Sequence, residues 1–270
     1  RIKKLEELVV VVVDQIYEKP KTMINLIDLK FYMDYTYFHV VNVAVLAILL
    51  ADEYGLKRQE MIYIGMASLL QDIGEMFIDS KILNKDGKLS KEEFDEIKKH
   101  PVSGYKYLKE SYKIHTAVYT AVLHHHEKYD GTGYPSGIGK EKISILARII
   151  SVAEIYDALT SKRSFRNPLL PSEAMEYIMA NGGVIFDLVV TKIFARKVAP
   201  FPIGTYVDLS NDISGIVVTN YEDACLRPLV RILVNNLGES VEPYLLNLRD
   251  DKKLRSVIIV GVNNIEIQKL

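Results

Sequence analysis

The sequence predicts a mainly α-helical bundle over residues 1–200, with residues 1–34 as a helical lead-in, followed by a small β-rich unit over residues 201–270. Three observations carry this. From Lys3 to about Pro200, apolar residues recur at intervals of three and four, the helical period, with glycines between the segments. After Pro202 the period becomes two, in short β-branched runs separated by Asn, Asp and Gly. A hydrophobic content of 49% with 26% charged residues describes a folded chain, too apolar for disorder and too charged for a membrane bundle.

Each element has a local reason. Ile2–Glu18 reads as one helix closed by Lys19-Pro20, because the residue before proline is biased away from helical backbone. A long helix from Tyr35 to Tyr54 stops at Gly55, a natural C-cap, and a third covers Arg58 to Gln71. Ser90-Lys91-Glu92-Glu93 is a capping box that starts a helix at Lys91. Further helices are expected at His100–Ser111, Ile114–His125, Ile143–Leu159, Pro171–Asn181 and Asp187–Val198. Between His125 and Ile138 the turn formers of Asp130-Gly131-Thr132-Gly133-Tyr134-Pro135-Ser136-Gly137 demand an ordered loop. Strands are expected at Thr205–Leu209, Gly215–Val218, Leu229–Val234 and Ser256–Val260. The apolar runs Leu8–Val13 and Val43–Ala51 fall short of the ~18–20 residues that span a bilayer, so they are expected to be buried faces and no membrane span is expected.

Composition also narrows function. A formal charge of -1 creates no global field toward a nucleic acid polymer or an anionic bilayer. The single cysteine, Cys225, cannot form an internal disulfide, and the N-terminus lacks the layout of a secretion signal, so the expected compartment is the cytoplasm. The chain begins at Arg1, which leaves room for an upstream sensor domain, and a homodimer is compatible with the sequence.

Six histidines are present: His39, His100, His115, His124, His125 and His126. A single imidazole is most often a satisfied core residue. The pair His125-His126 is different, because consecutive helical side chains diverge by about 100° and can serve one centre only at a helix end or by reaching two metals. His39, Asp72, His100 and Glu154 lie on separate segments near expected helix ends, a spacing suited to a bundle core in which each helix supplies one inward ligand. Imidazoles mixed with carboxylates suit Fe, Mn or Zn better than Mg or Ca.

The succession His39, Gln71-Asp72-Ile73-Gly74, Lys99-His100-Pro101, His125-His126-Glu127, Asp130-Gly131-x-Gly133-Tyr134-Pro135 and Asp157-Ala158-Leu159-Thr160-Ser161-x-Arg163 resembles the HD-GYP domains of the HD phosphohydrolase superfamily, over about Tyr35 to Phe201. The segment Lys81–Leu89 with Glu92-Glu93 resembles the connecting part of that family. The resemblance implies an HD-type helical bundle with a centre of two or three metals, usually iron or manganese, that hydrolyses cyclic di-GMP to linear pGpG or onward to GMP. Carried over by position, it implies a first metal held by His39, Gln71, Asp72 and Glu154, and a second held by Asp72, His100, His125 and His126. Tyr134 would contact the guanine, and Arg163 with Arg166 would hold phosphate oxygens through forked guanidinium groups. The β unit resembles a C-terminal extension common to such proteins.

Departures from the pattern concentrate on one side of the centre. The signature His-Asp is Gln71-Asp72, which replaces an imidazole nitrogen by a neutral amide oxygen, a weaker ligand for late first-row metals. The lysine expected next is Glu75, the aspartate expected later is Glu154, and Tyr35 stands where members with three metals carry a glutamate. One robust metal and one weakly held metal are expected, with Asp72 and Glu75 as the candidate catalytic residues. Gln71 and Glu75, four apart, are expected on one helical face, from which Glu75 reaches the metal that Gln71 holds poorly. Three functions follow: a metal-dependent cyclic di-GMP phosphodiesterase, a degenerate module that binds the dinucleotide or a protein without cleavage, or a phosphohydrolase acting on another nucleotide.

Overall fold

The computed structural model describes residues 2–17, 35–85, 87–161 and 168–263. They fall into two compact units, one helical and one containing the C-terminal sheet.

In the helical unit, α1 (Ile2–Tyr17), α2 (Tyr35–Tyr54) and α3 (Arg58–Leu70) precede a 3-10 turn at Ile73–Phe77. Then come α4 (Ser80–Leu83), α5 (Lys91–Ile97), α6 (His100–Ser111), α7 (Thr116–His124) and α8 (Ile145–Thr160). Helices α9 (Pro171–Ala180) and α10 (Leu188–Lys197) follow. Central to the unit is α2, which packs on α3 and α8. Val43, Ala44, Leu46, Ala47, Ile48, Leu50 and Ala51 are all buried, so this helix is apolar around most of its circumference, as a core helix must be. Helix α1 corrects the expectation that Leu8–Val13 forms a buried face. Only Val9 and Val13 are buried, while Leu8 is 65% and Val11 60% exposed, because a helix laid on the outside of the bundle, here against α3 and α2, buries one stripe of its surface. The Ser90 capping box forms as expected, its hydroxyl accepting from the Glu93 N–H while the Glu93 carboxylate accepts from the Ser90 N–H.

The sheet unit contains β1 (Tyr206–Leu209), β2 (Ser214–Thr219), β3 (Leu229–Val234), β4 (Ser240–Asn247) and β5 (Ile259–Asn263), antiparallel in the order β4-β3-β2-β1-β5. Val207, Leu209, Val217, Val230, Ile232 and Leu248 form its core. Strand β4 was not expected from the sequence. It lies at the edge, most of its residues are exposed, and it carries Pro243, so it lacks the apolar alternation that marks a strand. The last strand starts three residues later than expected, at Ile259, because the Val257 N–H closes a turn onto the Leu254 carbonyl instead of joining the ladder.

Candidate metal centre

Helix α3 ends at Leu70, one residue before the sequence predicts. Gln71 is its C-cap, and Asp72, at φ -95° and ψ 10°, turns the chain into the 3-10 segment. Gly74 explains how the next ligand arrives. A Cβ there would sit against the His100 carbonyl oxygen and 2.7 Å from the Gly104 nitrogen, so the N-terminal turn of α6 approaches the 3-10 turn backbone to backbone. That contact brings His100, the first residue of α6, beside Asp72. At the far end of α7, His124 is the last helical residue and His125 the C-cap. The two imidazoles His125 and His126 therefore converge because the chain leaves the helix between them, with ring centroids 4.0 Å apart.

Among the described residues, Asp72, His100, His125 and His126 form a group whose ligand atoms all lie within 4.8 Å of one another. Both inner rings have a fixed orientation. His100 donates Nδ1–H to the Ile97 carbonyl at 2.8 Å and His125 donates Nδ1–H to the Val122 carbonyl at 2.6 Å, since a carbonyl can only accept. Their Nε2 atoms face each other at 3.2 Å, and each lies 3.6–3.7 Å from Asp72 Oδ1. Two imidazole lone pairs and a carboxylate directed at one point repel unless a proton or a cation lies between them, so this donor set fits a divalent metal.

Electrostatics follow from this crowding. Burial opposes the charge on Asp72, but His125, His100 and His126 outweigh it and hold the carboxyl below the usual carboxylate range. Burial and the neighbouring His125 and His100 push His126 well below the usual imidazole value, leaving it a neutral ligand. Glu75 is pushed up to about 7, first by burial and then by the charge of Asp72. Weaker electrostatic influences on it come from His125, Glu154 and His39. The expectation that Gln71 and Glu75 share one helical face is corrected: α3 has ended before Gln71, and Glu75 lies in the 3-10 turn.

The remaining expected residues surround this group. Gln71 is fully buried, its Nε2 lies 3.5 Å from Asp72 Oδ2, and its Oε1 has no hydrogen-bond partner among the described residues. An orphaned buried amide oxygen beside a carboxylate is costly unless a cation or water meets it. Glu154 is in the middle of α8, not near a helix end as its spacing suggested, and its Oε1 lies 3.9 Å from His126 Nδ1. His39 points Nδ1 at Asp157 Oδ2, 2.7 Å away. Arg163 and Arg166 lie outside the described residues. His115 and His124 take structural roles: His115 caps α7 and stacks on Tyr63, and the His124 ring accepts the Ser144 N–H.

The glycine loop wraps the outer face. Glu127, buried, accepts the Ser136 N–H at 2.7 Å, and Tyr134 donates its N–H to the His126 carbonyl. The Tyr134 ring stacks on the His126 ring at 4.7 Å with 28° between planes. Sequence reasoning gave Asp157 no role within its motif and missed Asn42. Their signal was present as i,i+3 spacing, His39 to Asn42 and Glu154 to Asp157, which puts each pair on one helical face.

A helical bundle that gathers one aspartate and three histidines into a half-buried cluster able to hold a metal defines a helical protein of the histidine–aspartate type. The chain belongs to the HD domain family, whose model matches residues 15–190. Residues 206–270 match the KOW domain associated with the HD domain. The chain is 38% identical over 213 residues to a cyclic di-GMP phosphodiesterase of Pseudomonas aeruginosa, covering 79% of this chain and 51% of that protein. It is 37% identical over 150 residues to the 3'3'-cGAMP-specific phosphodiesterase 2 of Vibrio cholerae, covering 55% of this chain and 29% of that protein. An HDGYP protein from Bdellovibrio bacteriovorus shares the fold at 21% identity with a TM-score of 0.58, over 71% of this chain and 61% of that one. The chain thus spans about half the length, or less, of these curated relatives. Among the described residues, no helix is long and apolar enough to cross a membrane.

Proposed function

We propose that this chain is a metal-dependent phosphodiesterase acting on cyclic di-GMP, yielding pGpG or GMP, with iron or manganese at its centre. The observation that carries the reading is the convergence of the His100 and His125 Nε2 atoms on Asp72 with His126 beside them, a near-complete shell for one dication. Asp72, His100, His125 and His126 hold the second metal position, and His39, Gln71, Asp72 and Glu154 the first. When bound, the ions act as Lewis acids toward the phosphodiester and lower the pKa of water. The chain supplies the rest. Tyr134 offers a face for the guanine, Arg163 and Arg166 hold phosphate oxygens, and Glu75 adds negative charge where Gln71 supplies none. The single cysteine suits a reducing cytoplasm.

The orphaned Gln71 oxygen favours a second reading, in which the weak first position leaves the dinucleotide bound and uncleaved. Elemental analysis paired with single-turnover hydrolysis of cyclic di-GMP in excess iron or manganese separates the two. Linear product together with bound metal, both lost in His126→Ala, supports the enzyme. Full metal content in His126→Ala removes the ligand assignment. Tight binding without product supports the second reading.

A further inference from the structure

The first metal position has lost an imidazole at Gln71, so His39 is its one histidine, and the orientation of that ring governs what the position can hold. The ring is clamped from behind. Asp157 is 3% exposed. Its Oδ2 accepts from His39 Nδ1 at 2.7 Å and from the Ser161 hydroxyl at 3.3 Å, and its Oδ1 accepts from Asn42 Nδ2 at 3.1 Å. The clamp joins two helices through matched spacings: His39 and Asn42 are three apart on α2, while Glu154, Asp157 and Ser161 follow one face of α8 and its C-cap.

We propose that Asp157, held by Asn42 and Ser161, is a positioning residue that fixes His39 with its proton on Nδ1, so that Nε2 is the nitrogen this ring offers to a cation. An ionised carboxylate has only acceptors, so the nitrogen that meets it must carry the hydrogen, and in the neutral ring the lone pair then resides on Nε2. The same carboxylate raises the basicity of the ligating nitrogen through the ring, as carboxylate–histidine–metal arrangements do. At a position where a neutral amide has replaced an imidazole, that gain offsets part of the lost donor strength. Asn42 and Ser161 restrain the carboxylate against rotation about its side chain, which keeps the ring in the Nδ1–H tautomer. This inference rests on the reading of His39 as a ligand, and the test separates the two.

The full chain, stripped of metal by chelation and labelled with 15N histidine, is examined by long-range 1H–15N spectra, with His39 signals identified by their loss in His39→Gln. Mn2+ binding is followed by electron paramagnetic resonance. In the parent protein the His39 ring should carry its proton on Nδ1. Asp157→Ala should shift it toward the Nε2–H form and weaken one Mn2+ step by about 10–100-fold, leaving the other step unchanged. If Asp157→Ala does not fold, Asn42→Ala should weaken the same step about tenfold while Asp157 stays in place. An unchanged tautomer and unchanged Mn2+ steps in the folded variant would make Asp157 a helix tie and overturn the inference. If His39→Gln leaves both Mn2+ steps intact, the ligand reading itself fails. If His39→Gln abolishes one step and neither Asp157→Ala nor Asn42→Ala alters it, only the positioning role fails.

Discussion

Gly133→Ala should dislodge the glycine loop from the metal centre. A Cβ built at Gly133 lies 2.5 Å from Glu127 Cα, 2.5 Å from the His126 carbonyl oxygen, and closer still to the Lys128 nitrogen. All three are backbone atoms, so no side chain can swing aside, and the loop must retreat by about 1 Å to restore van der Waals contact. That retreat strains the Tyr134 N–H bond to the His126 carbonyl at 3.2 Å and the Ser136 N–H bond to Glu127 at 2.7 Å. Losing those two bonds costs about 1 kcal/mol each, and overpacking adds about 1–3 kcal/mol if the loop resists. The sum, about 3–5 kcal/mol, corresponds to a drop in Tm of roughly 6–20 °C at about 2–4 °C per kcal/mol for a unit of this size. Thermal unfolding measures the drop, and hydrogen exchange should localise the change to residues 126–139, with faster exchange at the Tyr134 and Ser136 amides. Because Tyr134 stacks on His126, cyclic di-GMP affinity should fall as well. An alanine variant with the parent's Tm and exchange would mean that the loop tolerates the extra atom, and this packing account would be wrong.

Three other substitutions examine the centre. Gln71→His should fill the place of the orphaned amide oxygen with an imidazole and raise both first-position metal occupancy and the rate of cyclic di-GMP hydrolysis; an unchanged metal count with an unchanged rate would mean that position 71 does not face the metal. Tyr134→Ala should cost ~1–3 kcal/mol of dinucleotide affinity by calorimetry and leave metal content alone, the range for one base stacked on an aromatic ring. Glu75→Lys should lower metal content, since a unit positive charge about 5 Å from a dication costs about 7 kcal/mol at an effective dielectric of ~20. A lysine variant that keeps its metal and cleaves faster would show that Glu75 had been only an obstructing charge.

What the sequence determined by itself was whatever local pattern encodes. The period-three-and-four runs specify the helices, the Ser90–Glu93 box starts α5, and the turn formers of residues 130–137 specify the loop. The order of histidines and acids pointed to a metal centre. Packing decided the rest, because it depends on contacts between residues distant in the chain. Val9 and Val13 of α1 are buried while Leu8 and Val11 are not, although all four read alike in a continuous apolar run. The edge strand β4 exists because β3 offers it a hydrogen-bonding partner, not because its own residues alternate. Glu75 lies in a 3-10 turn where the sequence suggested one helical face shared with Gln71, since the close approach of Gly74 to α6 turns the chain there. Asp157 belongs to a motif legible in the sequence, yet its bond to His39 crosses 118 positions of the chain and is set only when α8 packs on α2. A side chain's residue type is local information; the atom it faces is a property of the assembled bundle.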